Sequence, residues 1–312
     1  MTGWMLATGA ALLPVLLNGR MLDRLAMARW THLRPRAALA LWQAIGLGAG
    51  LGAVGLGLVA AVAPLAAAFP HGMHTLGRQI VQGQGLQGLG PGHIAGLVWS
   101  AALIAWLVTH TAWVCGATLA EQRRLRLLLD VVADPSHTHD FSVIPSPTPI
   151  AYCIPGRRSR VVVSSGTFAV LDDQHIEALL GHERTHLKGR HDLLLLPFIA
   201  LARAFPWLPA ARTARQVVPL LLEMLADDRA RRVHGDAVLA QALYRMATAG
   251  AVTPTRAQAF ADTGVVHRVR RLTGKGEHDR QRWAPSVAYA SAGVLLSGPV
   301  AVLLAPLACV TV

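Results

Sequence analysis

Charge is scarce in this chain of 312 residues: 15% are Asp, Glu, Lys or Arg, against 53% hydrophobic. Soluble domains carry about 25% charged residues. A water-facing surface all round is therefore excluded, and the mean hydropathy of +0.41 points to several membrane-spanning helices. Aromatic residues are few as well, at 5%, so Leu, Ala and Val supply the apolar character. The three cysteines, Cys115, Cys153 and Cys309, show no C-x-x-C spacing, which excludes a disulfide framework and a cysteine zinc site. Nucleic-acid motifs are missing too. The net charge of +12 is assigned instead to arginine-rich cytoplasmic loops of a membrane protein. The N-terminus lacks a basic n-region and an A-x-A site before a polar chain, so its apolar run reads as an anchor, not a cleaved signal.

What is present begins with apolar runs. Four are candidates for spanning helices: about Trp4 to Leu17, which is short, Ala37 to Val62, Ile94 to Leu119, and Pro285 to Cys309. Gly46, Gly50 and Gly57 in the second can admit another helix closely, although any Gly/Ala-rich span offers such residues. Arg20, Arg24, Arg29, Arg34 and Arg36 separate the first two runs, Arg78 is alone between the second and third, and Arg123, Arg124 and Arg126 follow the third. The positive-inside rule then places the N-terminus outside and the segment 120–283 in the cytoplasm. This gives a membrane region with three spans over 1–119, a cytoplasmic domain over 120–283 and a last span over 284–312.

The polar part of the chain carries the chemistry. His182-Glu183-Arg184-Thr185-His186 reads H-E-x-x-H. On a helix, residues four apart share a face, so both histidines can bind one zinc with Glu183 beside them as general base. A zinc site with an open position takes three protein ligands. Glu223 is the candidate for the third, on a second helix over about Val217 to Val233. Asp227, one turn further, is placed to hold the far nitrogen of a ligand histidine. Asp192 is an alternative third ligand, through H-E-x-x-H-x-x-G-x-x-D with a turn at Gly189, but it runs straight into Leu193 to Leu196 and leaves Glu223 unexplained. His191 is read as a surface or membrane-boundary residue. His234 is a candidate stabiliser of the transition state, weighed against an exposed histidine. His137 and His139 have no partner at useful spacing.

Around the motif, Ile150 to Ile154 and Arg160 to Ser164 read as a β-hairpin, with Pro149 to Cys153 a candidate edge strand for an extended peptide. Asp172 or Asp173 caps the metal-motif helix. The run 193–209 holds Pro197, Arg203, Pro206 and Pro209. A single crossing would put Glu223 and His182 on opposite sides of the membrane, so the run is expected to lie on the bilayer or to enter it as a shallow re-entrant hairpin. The basic stretch from Arg268 to Arg282 is expected to be an exposed, mobile linker, serving as a membrane-surface anchor or as a site the enzyme cuts in itself.

His182-Glu183-x-x-His186 followed by Glu223-x-x-Ala226-Asp227, between three early apolar runs and a late fourth, resembles the M56 peptidases. These are BlaR/MecR-type antirepressor membrane metallopeptidases, here in a compact actinobacterial form; the related M48 peptidases share both motifs. His267 to Leu272 also resembles the Arg-containing segment that M56 proteins carry before the last span. The resemblance implies a mainly α membrane protein of about four transmembrane helices, with a cytoplasmic gluzincin-like zinc-protease domain bearing a small β-hairpin or sheet. It implies a multi-pass zinc endopeptidase of the cell membrane acting in signalling by cleaving a winged-helix repressor of the BlaI/MecI type, and in some settings itself. The antibiotic receptors' penicillin-binding sensor is not in this sequence, so β-lactam sensing is not carried over. The alternatives are M48-like processing or quality control of membrane proteins, and a catalytically silent membrane regulator. The expected cofactor is Zn2+. The expected partners are the lipid bilayer, a protein or peptide substrate and, as an option, a second copy of the chain, with no direct nucleic acid.

Overall fold

The computed structural model describes residues 2–17, 19–67, 69–132, 141–156, 159–250, 261–274 and 282–308. His137, His139, Lys275, Arg280 and Cys309 lie outside the described residues.

The described N-terminal part is mainly helical. Helix α1 (Thr2–Val15) is followed by α2 (Gly19–Met27), α3 (Arg29–Leu33), α4 (Pro35–Val62), α5 (His71–Val81) and α6 (Pro91–Val132). The first apolar run is not one straight span. Its helix contains Pro14 and ends at Val15, and the chain continues into α2 at an angle of 57°. Among the described residues three helices are long and apolar enough to cross a membrane, or four if the bent pair counts as one span.

Helix α6 also departs from expectation. Its 42 residues form one rod, about 63 Å long, twice the roughly 30 Å of a hydrocarbon core. The expected domain boundary at 119/120 therefore falls inside a helix. Gly48, Gly52 and Gly57 of α4 bring neighbouring backbones close. A Cβ at Gly57 would stand 2.9 Å from the Gly96 carbonyl of α6, and one at Gly48 would stand 2.7 Å from the carbonyl of Leu295. Gly46 and Gly50 make only ordinary contacts.

A three-stranded sheet follows: β1 (Ser142–Ile144), β2 (Ala151–Ile154) and β3 (Arg160–Ser164), in the order β1-β3-β2. The expected hairpin is the antiparallel β2–β3 pair, with Ala151 opposite Val163 and Ile154 opposite Arg160. The parallel partner β1 was not legible; three residues are too few for a pattern. Alternation sorts the sheet's faces. Val162 and Ile154 pack on Leu125 and Leu129 of α6. Val161 and Val163 pack on Ile176, Leu179 and Leu180.

Those last three residues belong to α8 (Asp173–Lys188), reached through the short α7 (Ser165–Val170). Asp172 caps α8, its carboxylate accepting from the His175 backbone N–H. The chain then turns at Arg190, whose φ of 48° is left-handed. Helix α9 (His191–Ala204) follows, then α10 (Pro209–His234).

These two helices pack as a pair, so the run 193–209 is one helix and the turn that follows it. Helix α9 runs back along α6: Trp106 donates to the Ala204 carbonyl at 3.1 Å, and Arg203 covers the Trp113 ring at 3.2 Å. Gln43 of α4 donates to the Leu194 carbonyl at 2.8 Å. Returning, α10 buries Ala214, Val218, Leu221 and Leu222 against Leu39, Trp42 and Ile45 of α4. Helix α10 is thus longer than the expected Val217 to Val233, because its first turns are held by α4.

Helices α11 (Asp236–Thr248), α12 (Ala261–Thr273) and α13 (Ala284–Ala308) complete the chain. The expectation of a mobile linker fails for its first part. Arg268 and Arg271 lie on α12, and Leu272 and Val269 pack against Leu239 and Leu243 of α11.

Candidate metal centre

Helix α8 presents His182 and His186 on one face, as their spacing requires, and α10 brings Glu223 to them. His182 Nε2 lies 3.2 Å from Glu223 Oε2 and 3.2 Å from His186 Nε2, and His186 Nε2 lies 3.4 Å from Glu223 Oε1. Ligands at about 2.05 Å on a tetrahedral zinc stand about 3.3 Å apart. The donor types and the spacing of the three side chains therefore fit zinc. Among the described residues this is the one cluster able to hold a metal. Asp192 is not part of it; it stands in the first turn of α9.

Electrostatics point the same way. Burial holds the His186 imidazole neutral, lowering its pKa to about 3, which leaves a lone pair for a cation. Burial also disfavours charge on His182, but Asp227 and Glu223 outweigh it and raise that ring to about 10. A ring so surrounded by carboxylates readily exchanges its proton for a metal ion. Glu183 is raised to about 7, first by desolvation. A carboxyl poised there can both take and return a proton near neutrality.

The supporting shell is largely ionic. Asp227 Oδ1 stands 3.0 Å from His182 Nδ1, with the N–H direction off line. Arg268 clamps Asp227 with two hydrogen bonds of 2.7 Å, and its Nη1 lies 2.9 Å from Glu223 Oε2. Burial opposes ionisation of both carboxyls, but this guanidinium prevails and holds Asp227 and Glu223 below the usual carboxylate range. Arg271 binds both oxygens of Asp228 and donates to the His32 carbonyl at 2.7 Å. The centre therefore lies against α3, at the start of α4.

Two residues of this shell escaped the sequence reading. Arg268 is 7% exposed; the signal was Val265, Val269 and Leu272 at helical spacing, with Arg268 on the same face. His191 was read as a surface residue, yet it is buried, and its Nδ1 lies 2.9 Å from His186 Nδ1. The sharp turn at Arg190 folds it back onto α8. His234 is not among the grouped metal donors. Its Nε2 lies against Gly181, where a Cβ would be 2.9 Å away, and it follows Glu223 by about 16 Å of helix. Cys153 of β2 hydrogen-bonds Glu183, and burial pushes its thiol pKa up. The outer strand of the sheet therefore passes beside the candidate base.

With the geometry in place, the likenesses to known proteins become informative. No solved structure matches the chain. An alignment 142 residues long, covering 36% of the chain and 45% of the relative, is 29% identical to the Protease HtpX homolog of Methanopyrus kandleri. The chain thus spans less than half the length of that relative. Residues 120–261, which hold both histidines, Glu183, Glu223 and Asp227, match the family model of Peptidase family M48.

Proposed function

We propose that this protein is a membrane zinc endopeptidase of the M48 kind, cleaving protein chains at the cytoplasmic face. The observation that carries the proposal is the triangle of donor atoms, 3.2, 3.2 and 3.4 Å on a side, at His182, His186 and Glu223. Zinc held there would polarise a scissile carbonyl and acidify a water molecule. Glu183 removes a proton from the attacking water and delivers it to the leaving amine. Arg268 keeps Asp227 and Glu223 ionised and so fixes the carboxylates around the two histidines. Among the described residues strand β2 pairs only with β3, so its outer edge offers backbone donors and acceptors to an extended substrate beside Glu183.

The hairpin of α9 and α10 against the apolar helices, together with the arginines of 20–36, supports a site at the inner membrane boundary. Membrane-protein processing or quality control is the favoured role, on the likeness to the Protease HtpX homolog. Cleavage of a winged-helix repressor is the second reading, carried by the resemblance of the two metal motifs to the BlaR/MecR type. The intact Glu183 argues against a silent regulator. The test is metal analysis of the purified protein with casein cleavage, Glu183→Gln alongside. Zinc at one per chain and cleavage abolished in the variant support the proposal; a wild-type protein without bound zinc overturns it.

A further inference from the structure

A second polar site lies on the far side of the α8–α9 turn. A cavity of about 330 Å³ is lined by Leu119, Gln122, Arg123 and Arg126 of α6, Gly156 after β2, and Arg190. Three guanidinium groups line it and none of the lining residues is acidic. Among the described residues, Arg123 and Arg190 have no ion-pair or hydrogen-bond partner for their side chains. Arg126 donates from Nη2 to the Pro155 carbonyl, but its buried Nε has no partner. Gly156 has a φ of 143°, and a Cβ there would collide with the Arg126 guanidinium. The turn therefore accommodates this arginine only as glycine.

Three uncompensated guanidiniums around one cavity, one with an unmet buried donor, call for an anion. The fork of arginine suits phosphate, whose oxygens accept paired N–H groups. Position narrows the source. Leu119 ends the apolar run of α6, and the arginines follow within two turns, the level at which lipid phosphates lie along a spanning helix. We infer that this cavity binds a phosphate group, supplied by an anionic lipid headgroup of the inner leaflet. Its occupant would join α6, the turn after β2 and the α8–α9 corner. Arg190 in that corner is followed directly by His191, which touches His186. The lipid source rests on the membrane placement proposed above; the phosphate site does not.

The experiment uses the full chain purified in a non-ionic detergent. Bound lipid is measured by native mass spectrometry after reconstitution in phosphatidylcholine nanodiscs with and without phosphatidylglycerol. Inorganic phosphate is titrated separately against thermal unfolding in detergent. The variants are Arg123→Gln, Arg190→Gln and their combination, all at exposed positions, with Arg124→Gln as a control on the same helix outside the cavity; circular dichroism verifies folding. The expected result is selective retention of phosphatidylglycerol, weakened about fivefold by each cavity variant and unchanged in Arg124→Gln. Protection by inorganic phosphate without lipid retention, lost in the same variants, keeps the phosphate site and assigns it to a soluble ligand. Equal binding by the wild type and the double variant overturns the site. An equal loss in Arg124→Gln also overturns it, reducing the arginines to general surface charge.

Discussion

Arg268 Nε and Nη2 each donate to a different oxygen of Asp227, both at 2.7 Å, across 41 residues of chain. The pair is buried and joins α12 to α10 directly behind the candidate ligand His182. A buried pair adds little over an apolar replacement but is costly to break singly. Arg268→Leu is therefore expected to destabilise the protein by about 3–5 kcal/mol, and the double variant Arg268→Leu/Asp227→Leu by much less. Denaturant unfolding in detergent reads both. Equal losses in the single and double variants would show that the pair is not the source.

Ala at His182, His186 or Glu223 is expected to abolish zinc binding, because two ligands do not hold the ion against water. Asp227→Asn should keep zinc but weaken it about 10–100-fold, the usual effect of removing a carboxylate behind a ligand histidine. Competition with a chelator measures both. Full zinc content in Glu223→Ala would remove that residue from the ligand set.

Glu183→Gln keeps the side-chain shape and loses the proton acceptor. Peptide hydrolysis should fall at least about 10²–10⁴-fold with zinc content and unfolding midpoint close to wild type. The comparison is single-turnover cleavage of a fluorogenic peptide at matched zinc. Activity near that of the wild type would exclude Glu183 as the base.

Acid should loosen the metal-free protein through Asp227. Desolvation works against its charge, but Arg268 holds its folded-state pKa below the ordinary carboxylate value of about 3.9. A depressed carboxyl contributes stability that is complete above the unfolded value and is lost as pH falls through the folded one. Stability should therefore decline below about pH 4, and Asp227→Asn should show a flatter decline over that window. Chemical unfolding of zinc-free protein across the acid range is the measurement; identical slopes for the two proteins would rule Asp227 out.

The α4–α6 crossing is sensitive at Gly57, where a Cβ would stand 2.7 Å from Trp99 Cδ1 as well as close to the Gly96 carbonyl. Gly57→Leu is expected to cost about 1–3 kcal/mol through overpacking. Gly9→Leu, where an added Cβ meets nothing within 4 Å, should be mild. Thermal unfolding in detergent compares them, and a harmless Gly57→Leu would mean that the two helices do not cross at this point.

The metal motif could be read directly because a helix converts a spacing of four into a shared face without help from the rest of the chain. His182, His186 and the cap at Asp172 follow from that local rule, as do the apolar helices from their length and composition. Glu223 was within reach because its helix has its own pattern, although only the packing of α10 on α8 sets it 3.2 Å from His182. Arg268 was beyond local reading: the same basic residues suit an exposed linker or a buried clamp, and the choice depends on carboxylates 41 and 45 residues earlier in the chain. His191 likewise depends on the left-handed turn at Arg190, and β1 on a parallel partner that three residues cannot announce. Local periodicity determined which side chains could act together; long-range packing and charge pairing, which have no period, decided which of them meet.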